Sequence, residues 1–491
     1  MQERFIEKIG NVLDQTAINT NPADLKQMVD ANRSFSPAAE PFVILYPETV
    51  EEVQAIVKTA LEEEINLVPT SSADGALKLT GESLPAEGTE SAIVNLNRMK
   101  KIIRIDRRNK MAIVEAGVTY KELNEAAAEY GMRIDHPFQI RDTKSIVASL
   151  LDREPTMVPR NQWDVNDPLS CMECVMGTGE VFRTGSAAGP GTLEEQWASG
   201  VAQNNPLGPG WLDLGRVLSG SQGTLAIVTW ASVRMQLIPE KSKLLFAQSD
   251  DIKELEPFVY GAIRRRLGDE YVILNSFALA AMVKNLKGEI ETLSDQLPQW
   301  TVITRVAGYN YCTDLRFDQQ ETDTKELGQK LGIAVTDEIA RVTNRSVGGL
   351  LDDPVKGITW KTRYAGQGIN LYFLSTLDKA QTFVDIVKTE MEKHGFDPEI
   401  LGILLQPVQM SRSCHIEFVI PYRDREAAEK LYQDLTTALI EAGAFFNRPF
   451  GPMVEAVFAK TPAQRKSSGK IKELFDPKRI LNQGKLYYEE A

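Results

Sequence analysis

The sequence predicts an α+β protein of two domains, and three observations predict it. Its 491 residues exceed the ~250–300 at which one hydrophobic core gives way to two. Short apolar runs alternate with capped amphipathic helices as far as Pro239. Beyond Pro239 a strand–helix–strand pattern with antiparallel partners occurs twice, a duplicated ferredoxin-like arrangement.

The elements follow in order. Phe42–Tyr46 is a compact apolar strand, and Pro47–Leu61 a helix with Thr49 as N-cap, Glu52 at the capping-box position and apolar residues at 53, 56, 57, 60 and 61. Asn66–Pro69 closes that unit. Ala92–Leu96, Lys101–Ile105 and Met111–Glu115 are strands between short polar turns, and Thr119–Gly131 is a capped helix ended by glycine. In the second half, Leu244–Ala247, the helix Ile252–Leu267 and Tyr271–Leu274 make one unit. Asn370–Leu374, the helix Leu377–Gly395, Gly402–Leu405, His415–Ile420 and the helix Arg425–Gly443 make the other. Residues after about 447 are too few for a third domain and return to the first.

Composition narrows the function. Lys+Arg total 55 against Asp+Glu 68, a net charge of −13 without a basic cluster, which disfavours nucleic acid and anionic membrane as partners. The apolar runs fall short of the ~18 residues that span a bilayer. The first residues, Met1-Gln-Glu-Arg-Phe-Ile, lack the basic-then-apolar order of a secretory signal. Four cysteines form no disulfide framework. A cytoplasmic enzyme or binding protein is the expectation.

Common cofactor signatures are missing: no G-x-G-x-x-G follows a strand, and neither G-x-x-x-x-G-K-[ST], H-E-x-x-H nor G-x-S-x-G occurs. His136, His394 and His415 are the only histidines, so no metal centre is expected. Cys171-Met-Glu-Cys174 lacks the second cysteine pair of a zinc site and reads as two small apolar strand residues. Leu67–Gly75 is a strand running into a loop of small residues, whose backbone N–H groups can cradle a diphosphate or simply make a surface turn.

Four ordered segments resemble the vanillyl-alcohol oxidase family of p-cresol methylhydroxylase-type (PCMH-type) FAD flavoproteins. They are the strand–helix–strand unit with its Pro69–Gly75 loop and Val114–Leu123; Ser145–Pro159 continuing to Met172–Gly185; Ser219–Thr229; and Phe475–Lys485. The resemblance implies an FAD-binding domain from residues 1–239 and 447–491, with a cap domain over 240–446. By position, Pro69, Thr70, Ser71, Ser72, Ala73 and Gly75 would hold the diphosphate. Ser145, Ile146, Ser149, Asp152 and Arg153 would line a second FAD-binding stretch. Ala226, Ile227 and Val228 would pass the flavin or its ribityl chain, and Asn482 and Lys485 fall in the closing motif near it.

Two positions carry sharper expectations. His415 matches the place where a histidine of some relatives bonds to the flavin 8α-methyl, or else packs there unbonded; a one-residue slip would substitute Cys414. Arg448, in Phe446-Asn-Arg-Pro-Phe-Gly, matches a substrate-pocket arginine able to fork onto an anion. The chain departs from the family where phenol-binding tyrosines would stand, with Asn447 and Arg160, and Asp142 is the nearest carboxylate to the expected acid near flavin N5. Two arginines suit a carboxylate or other anion. Catalytic candidates are therefore Arg448, Arg160 and Asp142.

The resemblance implies an FAD-dependent oxidase or dehydrogenase that oxidises a small anionic or phenolic substrate by hydride transfer to flavin N5. Para-substituted phenols and aryl alcohols lead as substrates. Alternatives are an FAD-linked 2-hydroxy-acid dehydrogenase and a catalytically impaired flavin-binding electron-transfer or assembly protein. The electron acceptor would be O₂ or a protein carrier, and the assembly a homodimer. Tyr364, Tyr372 and Tyr422 are candidate contacts from the cap side.

Overall fold

The computed structural model describes residues 1–30, 35, 38–72, 84–160 and 167–486. The amino-terminal part holds two sheets. In the first, β1 (Ile18–Asn19) lies antiparallel to β2 (Val43–Leu45), and β2 and β3 (Asn66–Thr70) flank β4 (Ser91–Asn95) in parallel. Helix α1 (Val50–Glu63) makes the β2–β3 crossover. It starts where the sequence requires, because Thr49 Oγ1 accepts from the Glu52 N–H at 3.2 Å while the Glu52 carboxylate accepts from the Thr49 N–H. Val53, Ile56, Val57 and Ala60 are buried against the sheet and Leu61 half-buried.

The second sheet is antiparallel. Its order is β5 (Ile102–Asp106), β6 (Met111–Glu115), β9 (Ala226–Arg234), β7 (Leu169–Met176) and β8 (Val181–Arg183). Helix α2 (Tyr120–Ala128) has its own capping box, Thr119 with Glu122. Helix α3 (Ile146–Leu151) is capped by Ser145. Cys171 and Cys174 lie on β7, three residues apart and so in different cores.

The duplicated units join edge to edge into one seven-stranded antiparallel sheet. Its order is β13 (Ala334–Thr336), β10 (Lys241–Ser249), β12 (Trp300–Gly308), β11 (Glu270–Asn275), β15 (Gly402–Val408), β16 (Ser413–Pro421) and β14 (Gly368–Ser375). The β11–β15 pair, Ile273 opposite Leu405, is the seam between the halves. One face packs against α4 (Ile252–Arg264), α7 (Ala380–Lys393) and α8 (Arg425–Glu441). Its residues Leu371, Phe373, Leu405, Ile416 and Phe418 are buried there. The opposite face is covered over β10–β12 by α5 (Ser276–Val283) and α6 (Trp360–Arg363). Over β14–β16 it looks into a cleft.

Part of the last segment pairs with the first sheet. Leu67 pairs with Leu481, the Leu67 N–H donates to Ile480 O at 2.7 Å and the Asn482 N–H to Leu67 O at 2.8 Å. Lys472, on α9 (Pro462–Phe475), is buried and donates to Asp476, Thr224 O and Leu481 O. One ammonium thus ties the tail to the turn before β9.

Candidate active site

The cleft lies between the amino-terminal sheets and the open face of the seven-stranded sheet, with a cavity volume of ≈ 300 Å³. At one end Pro69, Thr70, Ser71 and Ser72 leave β3 beside the turn Gly220–Gly223. That turn must be glycine where it meets the loop. Gly223 has φ +70° and a Cβ there would lie 2.5 Å from Pro69 Cγ. Ala73 and Gly75, expected in the same loop, lie outside the described residues.

Helix α3 decides which of its expected residues face the cleft. Ser145 is fully buried: its Oγ accepts from the Ala148 N–H and donates to Ala116 O at 2.6 Å, and its N–H donates to Ser72 Oγ at 3.3 Å. Ile146 enters the core. The Ser149 hydroxyl donates to Glu154 and accepts from Tyr120. The helical period instead turns Val147, Ala148, Leu151 and Asp152 to the cleft. Ser145 and Ser149 therefore hold the wall rather than line it. Arg153 is turned away, its guanidinium donating to Arg216 O at 2.9 Å. Ala226, Ile227 and Val228 line an apolar waist.

The far end is polar. Alternate strand residues point into it: Asn370 and Tyr372 from β14, Leu404 and Gln406 from β15, and His415 and Glu417 from β16. Lys361 of α6 donates to Glu417, and His415 Nε2 lies 3.6 Å from the other Glu417 oxygen. Although burial alone would raise it, Lys361 holds the Glu417 carboxyl far below the ordinary carboxylate range. Burial lowers His415 and keeps it neutral, and the nearby Arg448 and Lys361 charges push the same way. Arg448 is 9% exposed, with its guanidinium 4.1 Å from the centroid of the Tyr372 ring and Nε without a hydrogen-bond partner. Cys414 faces the opposite, helix-covered side, so of the two neighbours it is His415 that lines the cleft.

The other expected positions fall elsewhere. Arg160 is exposed and donates to Gln236 at 3.3 Å, and Asp142 is absent from the cleft lining. Arg160 lies past the chain's turn at 155–160, and Asp142 precedes α3, with its backbone N–H bonded to Val355 O at 3.0 Å. The carboxylates that do line the cleft are Asp152, Glu154 and Glu417, against the cations Arg141, Lys144, Lys361 and Arg448. Glu154 is lowered by Lys144 at 3.2 Å, against its burial. Asn482 sits one layer behind, donating to Gln222 O at 2.6 Å, and Lys485 is likewise outside the lining. Tyr364 bonds Glu291, and Tyr422 packs on the helix-covered side.

These walls fit an extended dinucleotide. Ser and Gly backbone at one end suits a diphosphate, and the apolar waist suits a flat ring system. Beyond that waist, and in excess of what the diphosphate and ring ends require, four buried polar atoms have no partner: Gln139 Nε2, Gln406 Oε1, Asn370 Oδ1 and Arg448 Nε. Among the described residues no His/Cys/Asp/Glu cluster could hold a metal ion, and no helix is long and apolar enough to cross a membrane.

Residues 41–185 match the family model described as FAD binding domain. The 4-ethylphenol oxidase from Gulosibacter chungangensis superposes with a TM-score of 0.82 at 20% identity, covering 100% of this chain and 98% of that one. The p-cresol methylhydroxylase structure with substrate bound gives 0.81 at 18% identity, covering 99% and 97%. Residues 41–185 thus carry an FAD-binding domain, and the fold is that of the PCMH-type flavoproteins. An uncharacterised FAD-linked oxidoreductase, Rv2280 of Mycobacterium tuberculosis, is 24% identical over 99% of both chains. The mitochondrial cytochrome-type D-lactate dehydrogenase of Arabidopsis thaliana is 27% identical over 44% of this chain and 34% of its own length. This flavoprotein is an FAD-dependent oxidoreductase.

Proposed function

We propose that this flavoprotein oxidises a small organic anion whose charge rests on Arg448, with para-substituted phenols and aryl alcohols as the leading class. The observation that carries this reading is the state of Arg448. Lys361 and Lys144 each spend their charge on a carboxylate, Glu417 and Glu154. Arg448 instead lies on the Tyr372 ring, lines the cleft and has its Nε unpartnered. A buried guanidinium in that condition favours an anion.

When bound, FAD supplies the two-electron oxidant. The protein does the rest. Arg448 fixes the anionic group, the waist of Val147, Leu151 and Ile227 excludes water, and neutral His415 can take the proton released as the substrate is oxidised. Glu417, kept ionised by Lys361, orients donors rather than accepting that proton.

A 2-hydroxy acid is the second reading, because its carboxylate would suit Arg448 equally and the D-lactate dehydrogenase match supports it. The test is anaerobic mixing of the FAD-loaded protein with phenols, aryl alcohols and 2-hydroxy acids while flavin absorbance is followed. The proposal expects bleaching by one class and a fall in kcat/KM of about 100-fold or more in Arg448→Met. Bound flavin that no small anion bleaches would favour the non-catalytic reading.

A further inference from the structure

The open face of the seven-stranded sheet changes character along its length. Where it packs on protein, over β11, β12 and the adjoining part of β16, it presents Val272, Leu274, Ile303 and Val419. Where it meets the cleft it presents Asn370, Gln406, His415 and Glu417 beside Tyr372 and Leu404. Nothing in the sheet itself requires that switch, since β-strands favour apolar and aromatic residues at such buried positions.

Gln406 is the most telling member. Its amide N–H groups donate to the carbonyls of Pro155, at 3.2 Å, and Thr156, which fixes the orientation of the side chain. Oε1 is consequently an acceptor, and it is buried without a donor. Gln139 shows the complement. Its Oε1 accepts from the Trp360 N–H at 3.4 Å, leaving Nε2 a donor without an acceptor. Asn370 Oδ1 is a further buried atom without a partner. Folded proteins leave few such groups unpaired, so several gathered in one cleft point to a ligand that pairs them. An anion with an apolar remainder would satisfy Arg448 and strand the rest.

Resting on the reading that the substrate is a small anion, we propose that Gln406, Gln139 and Asn370 form a hydroxyl-reading wall. The substrate is then a hydroxylated anion, with at least one hydroxyl beyond the group that is oxidised. A site built to bond a hydroxyl rejects the analogue lacking it far more strongly than an apolar pocket separates two hydrocarbons.

The test uses matched pairs with the FAD-loaded protein under anaerobic conditions: 2-hydroxybutyrate against 2,3,4-trihydroxybutyrate, and a 4-alkylphenol against the same phenol with one added ring hydroxyl. Two quantities are read, kcat/KM for flavin bleaching and the concentration that half-saturates the change in the flavin spectrum on binding. The proposal expects the hydroxylated member of the reactive pair to be favoured at least about tenfold in kcat/KM and to bind more tightly. Within each of Gln406→Met, Gln139→Met and Asn370→Leu the ratio between the two members should shrink. The last two variants do not disturb the Gln406 bonds to Pro155 and Thr156, so a folding defect in Gln406→Met would not decide the matter. Equal ratios in the wild-type protein, or a preference for the deoxy member, overturn the wall while leaving anion oxidation standing. Bleaching by neither member of either pair, with flavin bound, overturns the anion reading and this inference with it.

Discussion

Lys361→Met is the sharpest perturbation of the polar end. The Glu417 side chain is 5% exposed and Lys361 is its bonded cation, with a neutral His415 3.6 Å away on the other oxygen. Removing one partner of a buried pair costs about 3–5 kcal/mol. The Lys361 side chain is 26% exposed, which places the expectation at the low end, about 3 kcal/mol. In the wild-type protein the depressed Glu417 contributes stability above its unfolded pKa, and that contribution is lost as pH falls. Without Lys361, only the neutral His415 at 3.6 Å is left to oppose desolvation, and the folded pKa rises above the unfolded one. The deficit is then small at acid pH and grows as pH rises through the new folded pKa. Urea unfolding of the FAD-loaded variant and wild type at pH 5 and pH 8 measures this. The variant should lose markedly more at pH 8, and Glu417→Gln added to it should recover most of the loss. A deficit that is the same at both pH values, or below about 1 kcal/mol, refutes the reasoning.

Other outcomes follow from the same structure. Gly223→Ala should weaken FAD binding at least about tenfold in a fluorescence titration, since its Cβ meets the Pro69 ring at 2.5 Å. Gly220→Ala, at φ +78° with its nearest neighbour at 3.9 Å, should cost only backbone strain. Iodoacetamide at pH 8 should modify Cys312 alone, because burial pushes the Cys174 and Cys414 thiols up to about 12 and raises Cys171, while Cys312 is exposed. Mass spectrometry would count the adducts. Acid precipitation should release the flavin to the supernatant, in keeping with His415 as a free proton acceptor. A yellow pellet would mean an attached flavin, and its loss in His415→Ala would place the bond.

Much of the fold was legible because local chemistry is written locally. Thr49 with Glu52 and Thr119 with Glu122 mark helix starts unaided. The strand-and-helix rhythm of 240–446 marks its internal duplication, although not the β11–β15 seam that joins the halves into one sheet. The site was legible where a motif brings the chain to the cleft, as at Pro69–Ser72, Ala226–Val228, His415 and Arg448. On α3 position along the chain suggested Ser145 and Ser149, but the helical period turned their neighbours inward. The polar end was harder still. Period-two alternation reveals that Gln406, His415 and Glu417 share the same face of their sheet, yet not that this face meets a cleft, and Lys361 arrives from a helix over fifty residues earlier. Arg160 and Asp142 lie outside the cleft lining for the converse reason, being close in sequence to residues that line it but not in its wall.

The central claim is that FAD occupies this cleft, and blocking its waist tests that claim most directly. Ala148→Trp fills the space between α3 and β9 from a residue that lines the cleft. Flavin absorbance after gel filtration, with circular dichroism as the check on folding, should show wild-type protein carrying one FAD per chain and a folded Ala148→Trp variant carrying none. A variant that keeps its full complement of flavin, or a wild-type protein that takes up none when FAD is supplied, would contradict the account.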